Sequence, residues 1–202
     1  MKARFIFLCI IMSTFAVCDK EENPIKPQEN DFSLEQDFLP AAPDGKKWEL
    51  IWNDEFEGSE LDTLKWEHVS WAAPGEDQPR KDGYWREDAA VLDSRGCLKM
   101  LTYYDSEKKR YIDGAVRTRG KFEKAFGYYE ARIQLQNEVG HWSAFWLMCD
   151  GAASVGDDGK DGTEIDIMEK ISPFDDRVFQ TLHWDGYGNN HQSAHREAIV
   201  PG

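Results

Sequence analysis

The chain has 202 residues, and its 38 acidic side chains against 24 basic ones give a formal net charge of −14. This balance disfavours a nucleic-acid partner, because proteins that bind phosphate backbones present a basic footprint. It also disfavours strongly sulfated glycans unless a local basic patch offsets the total. Of the four cysteines, Cys97 and Cys149 lie inside the predicted fold. They form either a disulfide in an oxidising compartment or two buried free thiols.

Residues 1–18 are typical of a processing signal. Lys2 and Arg4 precede a short apolar run that ends at Val17, directly before Cys18. The run is too short for an ordinary membrane-spanning helix. A cysteine after small apolar residues is typical of a bacterial lipoprotein, with Cys18 as the lipidated residue; an ordinary signal peptide cut nearby is the alternative. Both readings predict an extracytoplasmic protein, and the first predicts an outer-membrane or cell-surface lipoprotein.

Residues 19–45 predict a disordered tether. The segment carries four of the eight prolines, separated mainly by acidic and amide side chains. Such a composition cannot bury enough apolar surface to order itself. The globular domain is therefore expected to occupy residues 46–202.

The globular part is predicted to consist of short strands. No long helical pattern and no internal repeat appears, and many short strands at short spacing indicate an all-β sandwich. In residues 127–135 the side chains of Tyr129, Ala131, Ile133 and Leu135 share the apolar face. The predicted strands lie at residues 47–52, 88–93, 98–103, 114–122, 127–135, 140–148, 162–170 and 178–184, and the second and third of them form a hairpin.

The strand at residues 162–170 carries three carboxylates. Glu164 and Asp166 point to one face of a regular strand, and the intervening isoleucines point to the other. Glu169 lies five positions after Glu164 and would face the wrong side. A β-bulge at Ile167–Met168, with Met168 as the inserted residue, would return it to the acidic face. Three acids on one face repel one another, so the arrangement costs stability and indicates chemistry.

Paired carboxylates beside an oriented neighbour are suited to glycoside hydrolysis. One acid attacks the anomeric carbon while the other protonates the leaving oxygen, and the carboxyl groups lie ~5–5.5 Å apart in retaining enzymes. Asp166 lies between the two glutamates in sequence. A third carboxyl at this place can keep one glutamate ionised and raise the pKa of the other.

Residues 164–169 resemble the active-site strand of glycoside hydrolase family 16 in its bulged form, and the resemblance extends over residues 47–188. It implies a β-jelly-roll sandwich of the concanavalin A-like class. It also implies Glu164 as nucleophile, Asp166 as its assistant and Glu169 as general acid/base. Catalytic domains of this family continue for several more strands, so the last strands are expected to be missing from these 202 residues.

Trp142 and Trp146 lie four residues apart and so share one face of the predicted strand that precedes the acidic one. They either stack on sugar rings or pack in the core. His183 ends the next strand and is expected to hydrogen-bond Glu169 or a sugar hydroxyl, or to be a structural histidine. Ala115 stands where many laminarinase-like members carry Arg or Met, which leaves galactan-type or host-glycan substrates open.

The sequence therefore predicts a retaining endo-β-glycosidase that hydrolyses internal β-1,3 or β-1,4 linkages of a β-glucan or galactan. The protein is expected to be a monomer that contacts the membrane only through its lipid anchor. No cofactor is expected, and no spacing indicates a metal or structural calcium site; His191 and His195 are interpreted as solvated. A carbohydrate-binding surface lipoprotein with a non-catalytic sandwich is the alternative, and a purely structural surface lipoprotein is a third.

Overall fold

The computed structural model describes residues 5–9, 39–70, 72–73, 76–171 and 176–200, the first of these ranges by its backbone. Within this part of the chain, thirteen strands are joined by loops and two short 3₁₀ helices, Glu87–Ala89 and Asp150–Ala153. No helix in the same residues is long and apolar enough to cross a membrane. In chain order the strands are β1 (Phe5–Cys9), β2 (Glu67–His68), β3 (Gln78–Arg80), β4 (Gly83–Trp85), β5 (Ala90–Leu92), β6 (Leu98–Met100), β7 (Thr102–Asp105), β8 (Arg110–Asp113), β9 (Val116–Arg117), β10 (Trp142–Cys149), β11 (Glu164–Ile171), β12 (Arg177–Trp184) and β13 (Gln192–Ile199).

Three sheets contain these strands. The largest has seven strands in the order β13-β12-β11-β10-β1-β9-β2, and all of its neighbours are antiparallel. A second sheet has the order β3-β4-β8-β7, in which β4 and β8 run parallel. The third is the β5–β6 hairpin. The all-β prediction is confirmed.

The main core lies between one face of the seven-stranded sheet and the β5–β6 hairpin. Phe145 and Leu147 of β10 are buried there together with Leu98 and Met100 of β6 and with Trp66. Burying a side chain of this size contributes roughly 1.5–3 kcal/mol. Since side chains alternate along a strand, the even-numbered residues of β10 face the opposite side of the sheet, where the candidate site lies.

The strands that frame the site follow the sequence prediction closely. The predicted hairpin is confirmed as β5 and β6, with Ala90 opposite Met100. The predicted strands at residues 140–148, 162–170 and 178–184 are β10, β11 and β12, which lie side by side. Neighbours in sequence are thus neighbours in the sheet.

Three other strand predictions are wrong. Residues 47–52 and 127–135 belong to no strand, and of residues 114–122 only Val116–Arg117 does. Burial nevertheless alternates along residues 129–135 as expected, and Tyr129, Ala131 and Ile133 pack against the core. Alternation reports which side chains meet the core, whereas a strand also requires a partner backbone in register, which the pattern does not encode.

Strand β13 lies beyond the last predicted strand and contains His195, which was interpreted as solvated. All eight of its residues are exposed, and it pairs along its whole length with β12 at the edge of the sheet. A strand with solvent on both faces needs no apolar alternation. Its sequence therefore gives no periodic signal.

The N-terminal predictions meet the structure only in part. Strand β1 falls inside the predicted signal and pairs with β10 and β9, and the prediction that residues 1–18 are processed stays a prediction. Cys18 and residues 19–38 of the predicted tether lie outside the described residues. Cys97 and Cys149 are free thiols, but only Cys149 is buried, so the expectation of two buried thiols is half right.

Candidate active site

A β-bulge in β11 shapes the acidic face of the seven-stranded sheet. On β10, the adjacent residues Phe145 and Trp146 pair with Met168 and Asp166, which leaves Ile167 without a partner on that strand. On the other side, Asp166 pairs with Thr181 and Glu169 with Phe179, so two residues of β11 oppose one of β12. The predicted bulge is confirmed, but toward β10 the inserted residue is Ile167 rather than Met168.

The bulge explains how three carboxylates come to share one face. Ile167 and Met168 both pack against the main core. Glu169 then returns to the side of Glu164 and Asp166 and lies opposite Ala144 of β10. Without the extra residue, Glu169 would enter the apolar core unpaired, which is among the costliest placements of a carboxylate.

The start of β11 is fixed by the close approach of Gly162 to the side chain of Cys149. A Cβ atom on Gly162 would lie 1.9 Å from Sγ of the buried Cys149. Only glycine fits at this distance. The contact sets where the chain enters the strand, and Glu164 follows two residues later.

The acidic face forms the floor of a cleft with a volume of about 460 Å³. Aromatic side chains from β4 and β10 line it, and the end of β3 and the β3–β4 turn contribute one cation each. The residues that matter here are Arg80, Lys81, Trp85, Trp142, Trp146, Glu164, Asp166 and Glu169.

Glu164 is half-buried and accepts a hydrogen bond at Oε2 from the hydroxyl of Tyr187. Burial raises the pKa of Tyr187, and the hydrogen bond to the Glu164 carboxylate raises it further. Tyr187 therefore stays protonated and donates to Glu164 over the physiological pH range.

Asp166 is buried, with 5% of its surface exposed. Burial, together with the negative charges of Glu169 and Glu164, raises its pKa to about 8. Nε2 of His183 lies 3.3 Å from Oδ2 of Asp166, and Nδ1 of the same ring lies 2.8 Å from Nε2 of His191. Burial lowers the pKa of His183, so its imidazole is neutral at neutral pH.

Glu169 is also buried and accepts a hydrogen bond of 2.7 Å at Oε1 from Nε1 of Trp142. Burial raises its pKa, the Trp142 bond opposes this, and the charge of Glu164 adds to the rise. The charge of Lys81 and a hydrogen bond from Thr181 lower the pKa of Glu169, and their effects are the smallest of the five. The balance is a carboxyl that holds its proton to a higher pH than an ordinary glutamate.

Lys81 covers one face of Trp142, with Nζ 3.2 Å from the ring centroid, as in cation–π contacts. It adopts a left-handed backbone with φ of 47° at the tip of the β3–β4 turn. Burial and the neighbouring Arg80 lower its pKa, while Glu169 and Glu164 raise it. A basic turn thus lies over the acidic floor in a chain whose net charge is strongly negative.

The structure brings the three predicted carboxylates together in one cleft, with Trp142 and Trp146 beside them. Trp142 is 47% exposed, and Trp146 packs partly against a small cluster that includes Ala115. His183 reaches Asp166 and not Glu169, which was one of its expected partners beside a sugar hydroxyl and a purely structural role.

Four residues that contact the predicted site residues were not anticipated. They are Lys81, Tyr187 and His191, which lie in loops, where no periodicity assigns a direction to a side chain; a fourth, Thr181 of β12, hydrogen-bonds Glu169. His191 was interpreted as solvated, yet it is half-buried against His183. The one signal available for His191 was its position in the loop that follows β12, the strand beside β11.

Glu164, Asp166 and His183 each place one oxygen or nitrogen within 4.8 Å of the others, a spacing that one metal ion could bridge. Each group is already engaged within the protein, because Tyr187 donates to Glu164 and His183 pairs with Asp166. We assign no metal to them, and the expectation that no cofactor is required stays a prediction.

The family of the chain follows from its match to a family model. Residues 80–199, more than half of the chain, match the model of the glycosyl hydrolases family 16. The chain belongs to this family. The match to family 16 includes β4 to β13 and therefore the whole acidic face of β11.

Relatives within family 16 are moderately similar. The chain is 31% identical to a beta-glucanase of Rhodothermus marinus, over 70% of this chain and 50% of that protein. It is also 31% identical to beta-porphyranase B of Zobellia galactanivorans, over 82% of this chain and 52% of that protein. An endo-beta-1,3-glucanase structure from Pyrococcus furiosus matches with a TM-score of 0.56 and 28% identity, over 81% of this chain and 65% of that one. The chain thus spans about half the length of these two curated relatives.

Proposed function

We propose that this family 16 chain is a retaining endo-β-glycosidase that hydrolyses internal β-1,3 or β-1,4 linkages of a polysaccharide. The observation that carries the proposal is the acidic face of β11, where a buried carboxyl of raised pKa, Glu169, shares a cleft with the half-buried Glu164. Glycoside hydrolysis requires one protonated and one ionised carboxyl on the two sides of the scissile bond.

Glu164 is the proposed nucleophile. Tyr187 holds Oε2 through its hydroxyl, which leaves Oε1 to attack the anomeric carbon. As the bond from Oε1 to carbon forms, the glycosidic bond breaks and the leaving oxygen takes the proton of Glu169. The products of this half-reaction are a glycosyl ester on Glu164, a free saccharide end and an ionised Glu169.

Glu169 is the proposed general acid/base. After the first half-reaction its carboxylate removes a proton from water, which attacks the anomeric carbon and releases Glu164. The Trp142 and Thr181 hydrogen bonds stabilise the ionised form that exists between the two steps. Asp166 assists, because a buried neutral carboxyl beside two glutamates avoids adding a third negative charge.

The proposed substrate is a β-glucan or a galactan. The relatives are named for β-glucans and for porphyran, so they support a β-linked polysaccharide without choosing between these classes. Trp142, Trp146 and Trp85 give the cleft flat apolar surfaces of the kind that stack on sugar faces. A sugar can use the ring face of Trp142 only if Lys81 moves aside.

The proposed protein acts outside the cytoplasm as a monomer, with membrane contact through a lipid on Cys18 only. This proposal rests on the N-terminal sequence, since Cys18 lies outside the described residues. The strong negative charge is compatible with a neutral glycan partner.

The test is incubation of the full chain with laminarin, mixed-linkage β-glucan, agarose, porphyran and mucin glycans, followed by sizing of the products. Oligosaccharides of several lengths early in the reaction are expected from at least one polymer, because an endo-acting enzyme cuts internal bonds. The matched control is Glu169→Gln, which keeps the shape of the cleft and removes the acid. Binding of a polymer by both proteins with no cleavage by either would favour the non-catalytic alternative.

A further inference from the structure

Three titratable side chains form a line that leads away from the cleft. Oδ2 of Asp166 lies 3.3 Å from Nε2 of His183, and Nδ1 of His183 lies 2.8 Å from Nε2 of His191. The two imidazole planes are inclined by only 25°, with centroids 4.9 Å apart. His191 lies in the β12–β13 loop, is partly exposed and does not line the cleft.

The two ends of this line differ in their access to solvent. Asp166 is 5% exposed, and the small part of it that meets solvent opens into the cleft. A polysaccharide in the cleft would therefore cover it. His191 meets solvent on the other side of His183, so a proton can enter or leave there while the cleft is occupied.

We propose that Asp166, His183 and His191 form a proton relay that connects the buried carboxyl with solvent outside the substrate cleft. In one state Asp166 is protonated and donates to Nε2 of His183, which donates from Nδ1–H to Nε2 of His191. Transfer moves the Asp166 proton to Nε2 of His183, and the Nδ1 proton of His183 to Nε2 of His191. Asp166 is then ionised, His183 is neutral in its other tautomer, and His191 is an imidazolium that can release a proton to water.

The charges around the relay favour this sequence. Burial raises the pKa of Asp166, and Glu169 and Glu164 on β11 raise it further, so its carboxyl keeps a proton to pass on. Burial, together with His191 and Lys81, lowers the pKa of His183, although Glu164 opposes this. His183 therefore carries the proton through its two nitrogens without becoming a stable cation. Opposite Asp166, β10 contributes Trp146, which does not titrate. From the β12–β13 loop, the Tyr187 ring lies 5.8 Å from that of His191, and its raised pKa keeps it protonated.

The use of the relay in catalysis rests on the proposed glycosidase function. Glu169 loses its proton in one half-reaction and regains it in the next, while Glu164 alternates between carboxylate and ester. A neighbour that exchanges its own proton with solvent can follow these changes in charge without opening the cleft. The relay is itself a property of the folded chain and can be tested without substrate.

The substrate-free test is two-bond ¹H–¹⁵N correlation of the histidine-labelled full chain from pH 5 to 9, which distinguishes Nδ1–H from Nε2–H. His183 is expected to change from Nδ1–H to Nε2–H as pH rises through the ionisation of Asp166, near pH 8. The change should be absent in Asp166→Asn. A His183 ring that keeps one tautomer throughout, or that is an imidazolium between about pH 7 and 9, would overturn the relay.

The second arm compares His191→Gln and His191→Phe with the control His195→Phe, an exposed histidine on β13. Gln can hydrogen-bond His183 but cannot take up a proton, so a relay predicts that both His191 variants are deficient. We expect kcat to fall on the order of tenfold, a fraction of the 10²–10⁴-fold that general acid–base assistance contributes. KM should change less than about twofold, because His191 lies outside the cleft.

The outcomes separate the two proposals. Full activity in His191→Gln would show that the contact only positions His183, and the relay would be rejected. A tautomer change in a wild-type protein that hydrolyses no polymer would support the relay and count against the glycosidase function. Unchanged tautomers in an enzyme that hydrolyses a polymer would reject the relay and support the glycosidase function.

Discussion

Nε1 of Trp142 donates a hydrogen bond of 2.7 Å to Oε1 of Glu169, although the two residues lie on different strands of the sheet. One aromatic side chain thus presents a ring face to the cleft and at the same time stabilises the ionised form of a carboxyl. Ring stacking and acid strength are coupled through this contact, and changing Trp142 should change both.

Trp142→Phe should move the alkaline limb of the pH dependence of kcat/KM to higher pH. The hydrogen bond lowers the pKa of Glu169, so its loss raises that pKa. A general acid works in its protonated form, and it would then keep its proton to higher pH. The control is Trp48→Phe, which removes an indole donor to Pro40 far from the cleft lining. An alkaline limb that stays in place or moves down would contradict the role of this bond.

Asp166→Asn should make the folded state less sensitive to pH. The raised pKa means that folded Asp166 keeps its proton while the unfolded chain loses it above about 3.8, so its contribution to stability falls as pH rises from about 4 to 8. The variant should match wild type near pH 4 and exceed it at pH 8 by on the order of a few kcal/mol, since each pKa unit is worth about 1.4 kcal/mol. Urea unfolding at both pH values measures this. Equal differences at the two pH values would contradict a protonated Asp166.

The sequence was most informative where local pattern and tertiary structure agree. Alternation on β10 and β11 predicted which side chains face the core, and the odd spacing of Glu169 predicted the bulge because side-chain direction has a strict period of two. The identity of the inserted residue was wrong, since Ile167 and Met168 are both apolar and only the register against β10 distinguishes them.

Contacts made by loops could not be predicted in this way. Tyr187, His191 and Lys81 approach the acidic strand from turns whose course depends on φ values such as the 47° of Lys81. Their targets are set by the packing of whole sheets. Strand β13 was not predicted, and residues 127–135 were predicted as a strand but pair with none. Both errors arise because the sequence of one segment does not show whether another backbone lies beside it.

The hydrolysis should proceed with retention of configuration. Glu164 and Glu169 lie on one bulged strand and face one cleft, an arrangement that favours direct attack by a carboxylate over an intervening water. Proton NMR of the first anomer released, recorded before mutarotation, measures the outcome. A first product of inverted configuration would reject Glu164 as a nucleophile.

Cys18 should carry lipid when the full chain is expressed in a Gram-negative host. The motivation is the short apolar run that ends directly before Cys18. Metabolic labelling with an alkyne fatty acid should mark the wild type, and the mark should disappear in Cys18→Ala. The control is Cys9→Ala, which removes a cysteine from the same segment and should keep the label. An unlabelled wild type that is still exported would favour the ordinary signal peptide.

Glu164→Gln and Glu169→Gln should both abolish cleavage of polysaccharide, but for different chemical reasons. A glutamine at position 164 cannot form the ester with the anomeric carbon, so this variant should be inactive on every substrate. A glutamine at position 169 removes only the proton donor and the base. The leaving group of an activated aryl glycoside departs without a proton. Glu169→Gln should therefore form the glycosyl ester and accumulate it.

Azide distinguishes these two failures, because it attacks the anomeric carbon without needing a base. In Glu169→Gln it should react with the accumulated ester and restore turnover of the aryl glycoside, with a β-glycosyl azide as product. In Glu164→Gln no ester forms, and azide should not give the β-product. Asp166→Asn should be intermediate, because Asp166 breaks and forms no bond to the sugar, and assistance of this kind is worth roughly 10²–10⁴-fold. The measurement is the rate of each variant with and without azide, together with the anomeric configuration of the glycosyl azide. Formation of the β-glycosyl azide by Glu164→Gln and not by Glu169→Gln would reverse the two assigned roles.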